Sequence, residues 1–532
     1  MKRSVASLAI LLALCVSHCE VYAAIAPAPD RKEGSGPYDQ LILRGAMVVN
    51  GTGAPAFGPA DVVIEKNRIV EVKIVGFPDS PIAEEGRPKL RQRGREIDLT
   101  GHTILPGLID MHGHIGGAEQ GVDAEYVYKL WLGHGITSIR DPGCGNGIDW
   151  CVSEMRRSEK NEITAPRIFP YAFFGAGRTK PMLTAEDARE WVRELHKSGG
   201  LGMKCFGYDP KVLAGAFSEL KKLGMRSACH HAQLDVARVN VLTTARQGLT
   251  TMEHWYGLPE ALFDGQTVQQ YPADYNYQNE QHRFGEAGRL WAQSAKKGSD
   301  KYEAVIGELL ELDFTIDPTF TIYEAARDWM RTRTADWHAQ YTHPALWEFF
   351  RPSRERHGSF FFDWGTEEEV AWRDNYRRWM DFINDYKNRG GRVTVGSDSG
   401  YIYKIYGFGT IEELELLREA GFHPLEVIRA ATLSGAEALG AADKIGSIES
   451  GKLADLLIVE GNPLANLKLL YGSGHIRIDA DGQPRRTGGV KYTIKDGVVY
   501  DSKALLNNVR AMVEQAKSER GIDRLPSIEV PQ

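Results

Sequence analysis

Between Ile104 and about Gly440, apolar runs of strand length alternate with segments of helical period, and this alternation constrains the fold more than any other feature of the chain. Eight such runs can be read: Ile104 to His112, Ile136 to Asp141, Arg167 to Phe174, Leu201 to Phe206, Arg226 to His231, Leu249 to His254, Phe314 to Phe320 and Arg392 to Asp398. Between them, apolar residues recur at three and four in Glu186 to Lys197, Lys211 to Leu223 and Asp235 to Gln247, which predicts helices. Eight strand-helix units predict an α/β chain whose parallel sheet closes as a (β/α)8 barrel of the TIM type. Its active residues are then expected at the carboxyl ends of the strands.

Outside that region the rhythm is shorter. Leu41 to Val49, Asp61 to Val72 and Arg95 to Leu105 near one end, and Ala454 to Val459 and Lys491 to Tyr500 near the other, read as strands and hairpins between Gly, Pro and charged turns. The expected organisation is a small β-sandwich domain built from both chain ends, residues 38–103 and 441–505, around a barrel over 104–440. A C-terminal tail follows at 506–532. Residues 258–389 exceed what plain strand-helix connections need and read as a helical insert. That insert carries seven of the eleven tryptophans, which either form its own core or wall a cleft over the barrel mouth.

Composition narrows the partners. Sixty-four Lys and Arg against 71 Asp and Glu leave a net charge of -7, so no general attraction to a phosphate backbone is expected and nucleic acid is excluded as a partner class. Lys2 and Arg3, the apolar run Leu8 to Val16, and Val21-Tyr22-Ala23 together read as a signal peptide over residues 1–23. The expectation is export, to a periplasm or the medium, with no stable membrane insertion. Cleavage would leave Cys144, Cys151, Cys205 and Cys229. Cys144 and Cys151 share a Gly-rich loop and are placed to bridge in an oxidising compartment, whereas Cys205 and Cys229 sit in strand-like runs and read as core residues.

The chemistry-bearing residues fall at strand ends. His112 and His114 lie two apart, so on a strand both imidazoles point to one side and can face one metal. His230 or His231 follows strand five, His254 follows strand six in Met252-Glu253-His254, Asp398 ends Val395-Gly396-Ser397-Asp398, and Lys204 ends strand four. Singly each has a bland explanation. Together they set imidazoles, a carboxylate and an amine at one rim of the barrel, a donor set with metal-ligand chemistry. A buried Lys204 without a charge partner would otherwise be costly. Strand alternation does not choose between His230 and His231, because a barrel strand is apolar on both faces. Tyr171, Arg178 and Tyr256, near the ends of strands three and six, are candidate substrate contacts, Arg178 through its fork to a carboxylate.

On these residues the sequence resembles the amidohydrolase superfamily of metal-dependent hydrolases, and within it the exported prolidase-like and imidazolonepropionase-like group, over roughly residues 41 to 500. The resemblance rests on His112 and His114 after Pro106-Gly107-Leu108-Ile109-Asp110, on Lys204, the strand-five histidine, Glu253-His254, Asp398, and the run from Ile445 through Gly451 to Leu456. It implies a barrel with a small β-sandwich. It further implies that His112, His114 and Asp398 hold one divalent ion and His230 (or His231) and His254 a second, with Lys204 carboxylated and bridging them. Zinc is the expected metal, with manganese or cobalt also admissible. The implied reaction is hydrolysis of a carbon-nitrogen bond in a small amide or dipeptide, as in an Xaa-Pro dipeptidase, by a metal-bridging hydroxide. Asp398 would carry the proton from water to the departing nitrogen. A cyclic amidohydrolase or deaminase with a single metal, and a catalytically silent binding module on the same barrel, stay open as alternatives, as does a homo-oligomer.

Overall fold

A computed structural model describes residues 24–525 except 79 and 83. The expected signal peptide, residues 1–23, lies outside the described residues, as do 526–532. Eight parallel strands pair in sequence order: Leu108–Asp110, Ile136–Asp141, Arg167–Phe173, Gly202–Cys205, Arg226–His230, Thr251–Glu253, Thr315–Asp317 and Arg392–Val393. The edges of this sheet meet, because Met111 N–H donates to the Val395 carbonyl and Asp398 N–H to the His112 carbonyl, each at 2.8 Å. The sheet is therefore curled. Covered on both faces, its strands read in sequence as continuous apolar runs rather than as alternation.

Local chemistry sets the element ends. The helix Ala185–Ser198 starts on Thr184, whose hydroxyl accepts from Asp187 N while the Asp187 carboxylate takes the Thr184 N–H, and it stops at the left-handed Gly199. The helix expected from Asp235 begins instead at Val241. There Asn240 caps it by accepting from Thr243 N, and residues 235–239 form turns.

The run Ile104 to His112 serves two sheets. His102–Pro106 pairs antiparallel with Leu456–Glu460, while Leu108–Asp110 opens the curled sheet. Gly107 makes the junction, where a Cβ would fall 2.0 Å from Thr137 Oγ1. Apart from the separate pair His475–Ile478 and Pro484–Thr487, the strands of both chain ends join in one mixed sheet that runs from Val498–Asp501 through Val490–Lys495, Leu456–Glu460, His102–Pro106, Leu41–Val48 and Phe57–Glu65 to Arg68–Ile74. Leu41–Val48 forks it: its first half pairs with Arg95–Asp98 and its second half with His102–Pro106, with Gly45 at φ 72° between them. Where the sequence predicted a β-sandwich, the pairing gives this single forked sheet.

Residues 258–389 are two excursions rather than one insert, since strand seven of the curled sheet, Thr315–Asp317, lies inside them. Their aromatic residues largely form a core: Trp372 and Trp379 are fully buried and pack on Trp255. The stretch read as a C-terminal tail is instead mostly helix, Ser502–Glu519, which buries Leu505, Leu506, Val509 and Val513.

The cysteine reading is reversed. Cys205 and Cys229 are directly opposite in neighbouring parallel strands, with Cα atoms 4.5 Å apart, and form the disulfide. Cys144 and Cys151 are free and buried. Cys144 sits in a turn at φ 35°, and the Cys151 thiol points to Asp141 Oδ2 at 3.9 Å. Closing a loop of 24 residues restricts the unfolded chain by about 3 kcal/mol. Replacing Cys205 and Cys229 by Ser should lower the unfolding free energy by that order and remove the sensitivity of thermal unfolding to reductant. An unchanged melting curve in reductant would contradict it.

Candidate metal centre

Six side chains from five strand ends meet at the carboxyl rim of the curled sheet. Asp398 Oδ1 lies 3.3 Å from His114 Nε2 and 3.5 Å from His112 Nε2, and its Oδ2 lies 3.6 Å from His254 Nε2. Lys204 Nζ is 3.5 Å from His112 Nε2. The His230 ring centroid is 4.5 Å from that of His254. His231 faces the other way: it is fully buried, with Nε2 2.8 Å from Thr244 Oγ1 in the helix Val241–Gln247. Tetrahedral coordination with bonds of about 2.0 to 2.2 Å sets donor atoms roughly 3.3 to 3.6 Å apart. The observed spacings fit a metal ion.

Each of three rings has its other nitrogen tied to an outside partner, which turns Nε2 toward the cluster. His112 Nδ1 donates to Glu253 Oε2 at 2.8 Å, His254 Nδ1 lies 2.5 Å from Thr319 Oγ1, and His114 Nδ1 is 3.6 Å from Asp141 Oδ1. Glu253 is in turn anchored by Arg140, which is fully buried and bonds the Glu253 carboxylate at 2.7 Å, Thr251 Oγ1 at 2.6 Å and the Met111 carbonyl at 2.5 Å. His254 and Asp398 take left-handed backbone conformations, φ 64° and 50°. Non-glycine residues hold such geometry at a cost of about 1 to 3 kcal/mol each, and it recurs at sites of function.

The electrostatics suit ligands. Burial, with Lys204 nearby, holds His112 and His230 below the usual imidazole range, and burial with His230 nearby does the same for His254. Burial pushes Lys204 down to about 8. His114 goes the opposite way: burial opposes its charge, but Asp141 and Asp398 outweigh it and carry the ring up to about 9. Burial would raise Asp398, yet the surrounding imidazoles keep its carboxyl well below the carboxylate range.

Of the three substrate contacts expected from the sequence, Tyr256 alone packs against the cluster, its ring 5.5 Å from that of His230. Tyr171 pairs with Gly202, two residues below the level at which Phe173 pairs with Lys204, so it lies one layer deeper and its ring stacks on the Arg140 guanidinium. Arg178 is committed to the helix Ala185–Ser198, through the Asp187 carbonyl and Glu190. Sequence reasoning missed Arg140, Asp141 and Thr319. The Arg140-Asp141 pair closing an apolar strand was the visible signal, at the same rim as His112.

A family model described as the amidohydrolase family matches residues 377–499, the stretch that holds Asp398 and the returning strands. An adenine deaminase of Methanoculleus marisnigri is 36% identical over 129 residues, 23% of this chain and 24% of the deaminase. A solved Xaa-Pro dipeptidase with methionine bound in its active site superposes with a TM-score of 0.55 at 19% identity, over 87% of this chain and 100% of the other. Over residues 377–499 the chain is thus similar to the amidohydrolase family. Ochratoxinase of A. niger shares the fold at a TM-score of 0.57 and 15% identity, over 87% of this chain and 96% of its own. The sequence match to the deaminase spans about a quarter of that relative's length, and the structural likenesses speak for the fold.

Proposed function

We propose that this chain is an exported metal-dependent hydrolase of the amidohydrolase superfamily that cleaves a carbon-nitrogen bond of amide or peptide type. The observation that carries the reading is the convergence of His112, His114, His254 and Asp398 at the spacing of metal donors, with Lys204 at bonding distance from His112. His112, His114 and Asp398 would hold one divalent ion, and His230 and His254 a second. Lys204 would hold both once carboxylated, an addition of carbon dioxide that requires the neutral amine, which its lowered pKa favours. The Cys205–Cys229 bridge supports an oxidising compartment and hence export.

A divalent ion at this centre supplies a water acidic enough to react near neutral pH and a Lewis acid for the carbonyl. The protein's part is to orient and to move protons. Asp398, facing three imidazoles, is positioned to accept the proton of the attacking water. The near-complete burial of His112, Lys204 and His254 keeps bulk water from the reacting atoms.

Deamination is the second reading, favoured by the adenine deaminase match. Turnover of N-acyl amino acids and dipeptides, Xaa-Pro included, beside adenine and with zinc, manganese or cobalt, separates them. Release of free amino acid supports the first reading. Ammonia from adenine with no amide cleavage overturns it.

The pKa pattern gives a further expectation. The proton held on His114 at about 9 must leave before that ring can bind an ion, so protons compete with metal below that pH. Affinity for zinc should rise as pH is raised toward 9, by up to about tenfold per unit. Competition titrations with a chelating dye at two pH values check this, and a flat affinity would contradict it.

A further inference from the structure

The second excursion brings one histidine to within two ring contacts of the metal centre, through Tyr401. His357 lies between the helices Pro344–Phe349 and Thr366–Asn388, with its ring 5.7 Å from Tyr401, whose own ring is 6.0 Å from His114. It is within electrostatic reach of His230. Its Nδ1 is 3.0 Å from Glu280 Oε2, while among the described residues Nε2 has no hydrogen bond, and the side chain is 35% exposed. Burial pushes Glu280 up, but His357 and Arg283 more than reverse this and keep it ionised. A histidine that only filled the aromatic core would need neither the exposure nor a fixed tautomer.

Its position is over-determined. Gln281, next to Glu280, donates from Nε2 to the carbonyls of Ser353 and Ser359 and accepts at Oε1 from Phe362 N and Asp363 N, clamping the segment on both sides of His357. Ile402 N–H donates to the Gly358 carbonyl at 2.9 Å and docks the segment on the loop that follows Asp398. Such bracing is what a preorganised site requires.

We propose that His357 is a second proton-transfer group, which delivers the proton to the departing nitrogen while Asp398 serves the water. This rests on the amide-hydrolysis reading. As the carbon-nitrogen bond breaks, its electron pair goes to nitrogen, which takes the Nε2 proton of the imidazolium. The neutral ring keeps its Nδ1 proton on Glu280, and Nε2 regains through solvent the proton that Asp398 took from water. Glu280 is a positioning residue.

The test compares one acyl group presented as a p-nitroanilide and as an alkylamide, whose amine is the far poorer leaving group. His357→Asn should lower kcat/KM for the alkylamide by about 100-fold or more, but for the anilide less than tenfold, with metal content unchanged. Glu280→Gln should show the same bias more weakly. An equal loss on both substrates, or none, would overturn the role of His357. No turnover of either amide by the metal-loaded wild type would overturn the amide reading itself, and this assignment with it.

Discussion

Asp398→Asn should lower turnover of an amide substrate by about 10² to 10⁴-fold while the protein still folds and retains divalent metal. The asparagine keeps the size of the side chain and one oxygen for the ion, but it cannot take a proton. The loss should fall on kcat rather than on KM, because proton acceptance matters as the water attacks and not as substrate binds. Assays of wild type and variant at matched metal content decide it. Unchanged turnover would remove Asp398 from the chemistry, and loss of the metal together with activity would make it a ligand only.

The second large effect is on stability. Arg140 and Glu253 are both fully buried and paired at 2.7 Å, with Asp317 Oδ2 3.4 Å from the same guanidinium. Burial and the neighbouring Glu253 push Asp317 well above the carboxylate range, which makes Glu253 the favoured carrier of the negative charge beside Arg140. Glu253→Ala removes the charged partner of a fully buried guanidinium, leaving it only Asp317 at 3.4 Å, and should cost up to about 3 to 5 kcal/mol in chemical denaturation. It also frees the Nδ1 of His112, which should weaken metal binding by about 10 to 100-fold. Arg140→Met together with Glu253→Leu should restore much of the stability without the affinity, a contrast that separates the two roles. Equal stability for the single variant and wild type would contradict the pairing. The sign with pH follows: burial opposes the Glu253 charge, but Arg140 and His112 hold its folded pKa below the ordinary 4.5. The stabilisation is thus fully present above about 4.5 and is lost as pH falls through the folded value.

The sequence revealed those parts of the fold whose signal is local. Buried parallel strands are apolar runs whatever surrounds them, so all eight could be read, with ends within a few residues of those observed. His112, His114, Lys204, His254 and Asp398 could be grouped because a barrel collects strand ends at one rim. What escaped depends on register or on distant partners. Cys205 meets Cys229 only once strands four and five are aligned, whereas the shared loop of Cys144 and Cys151 suggested the opposite pairing. His230 and His231 both lie in apolar surroundings, and the side each faces is set by the strand end and by Thr244. Arg140 and Glu253 are 113 residues apart, and no local pattern announces a buried ion pair. Gly107 hid the division of a single apolar run between two sheets.

Metal content tests the centre most directly. Elemental analysis of protein prepared without chelator, or reloaded with zinc and passed through a desalting column, should give about two divalent ions per chain for wild type. His112→Ala and His254→Ala should each give fewer. A wild-type chain that neither carries nor takes up a divalent ion, although correctly folded, would contradict the account.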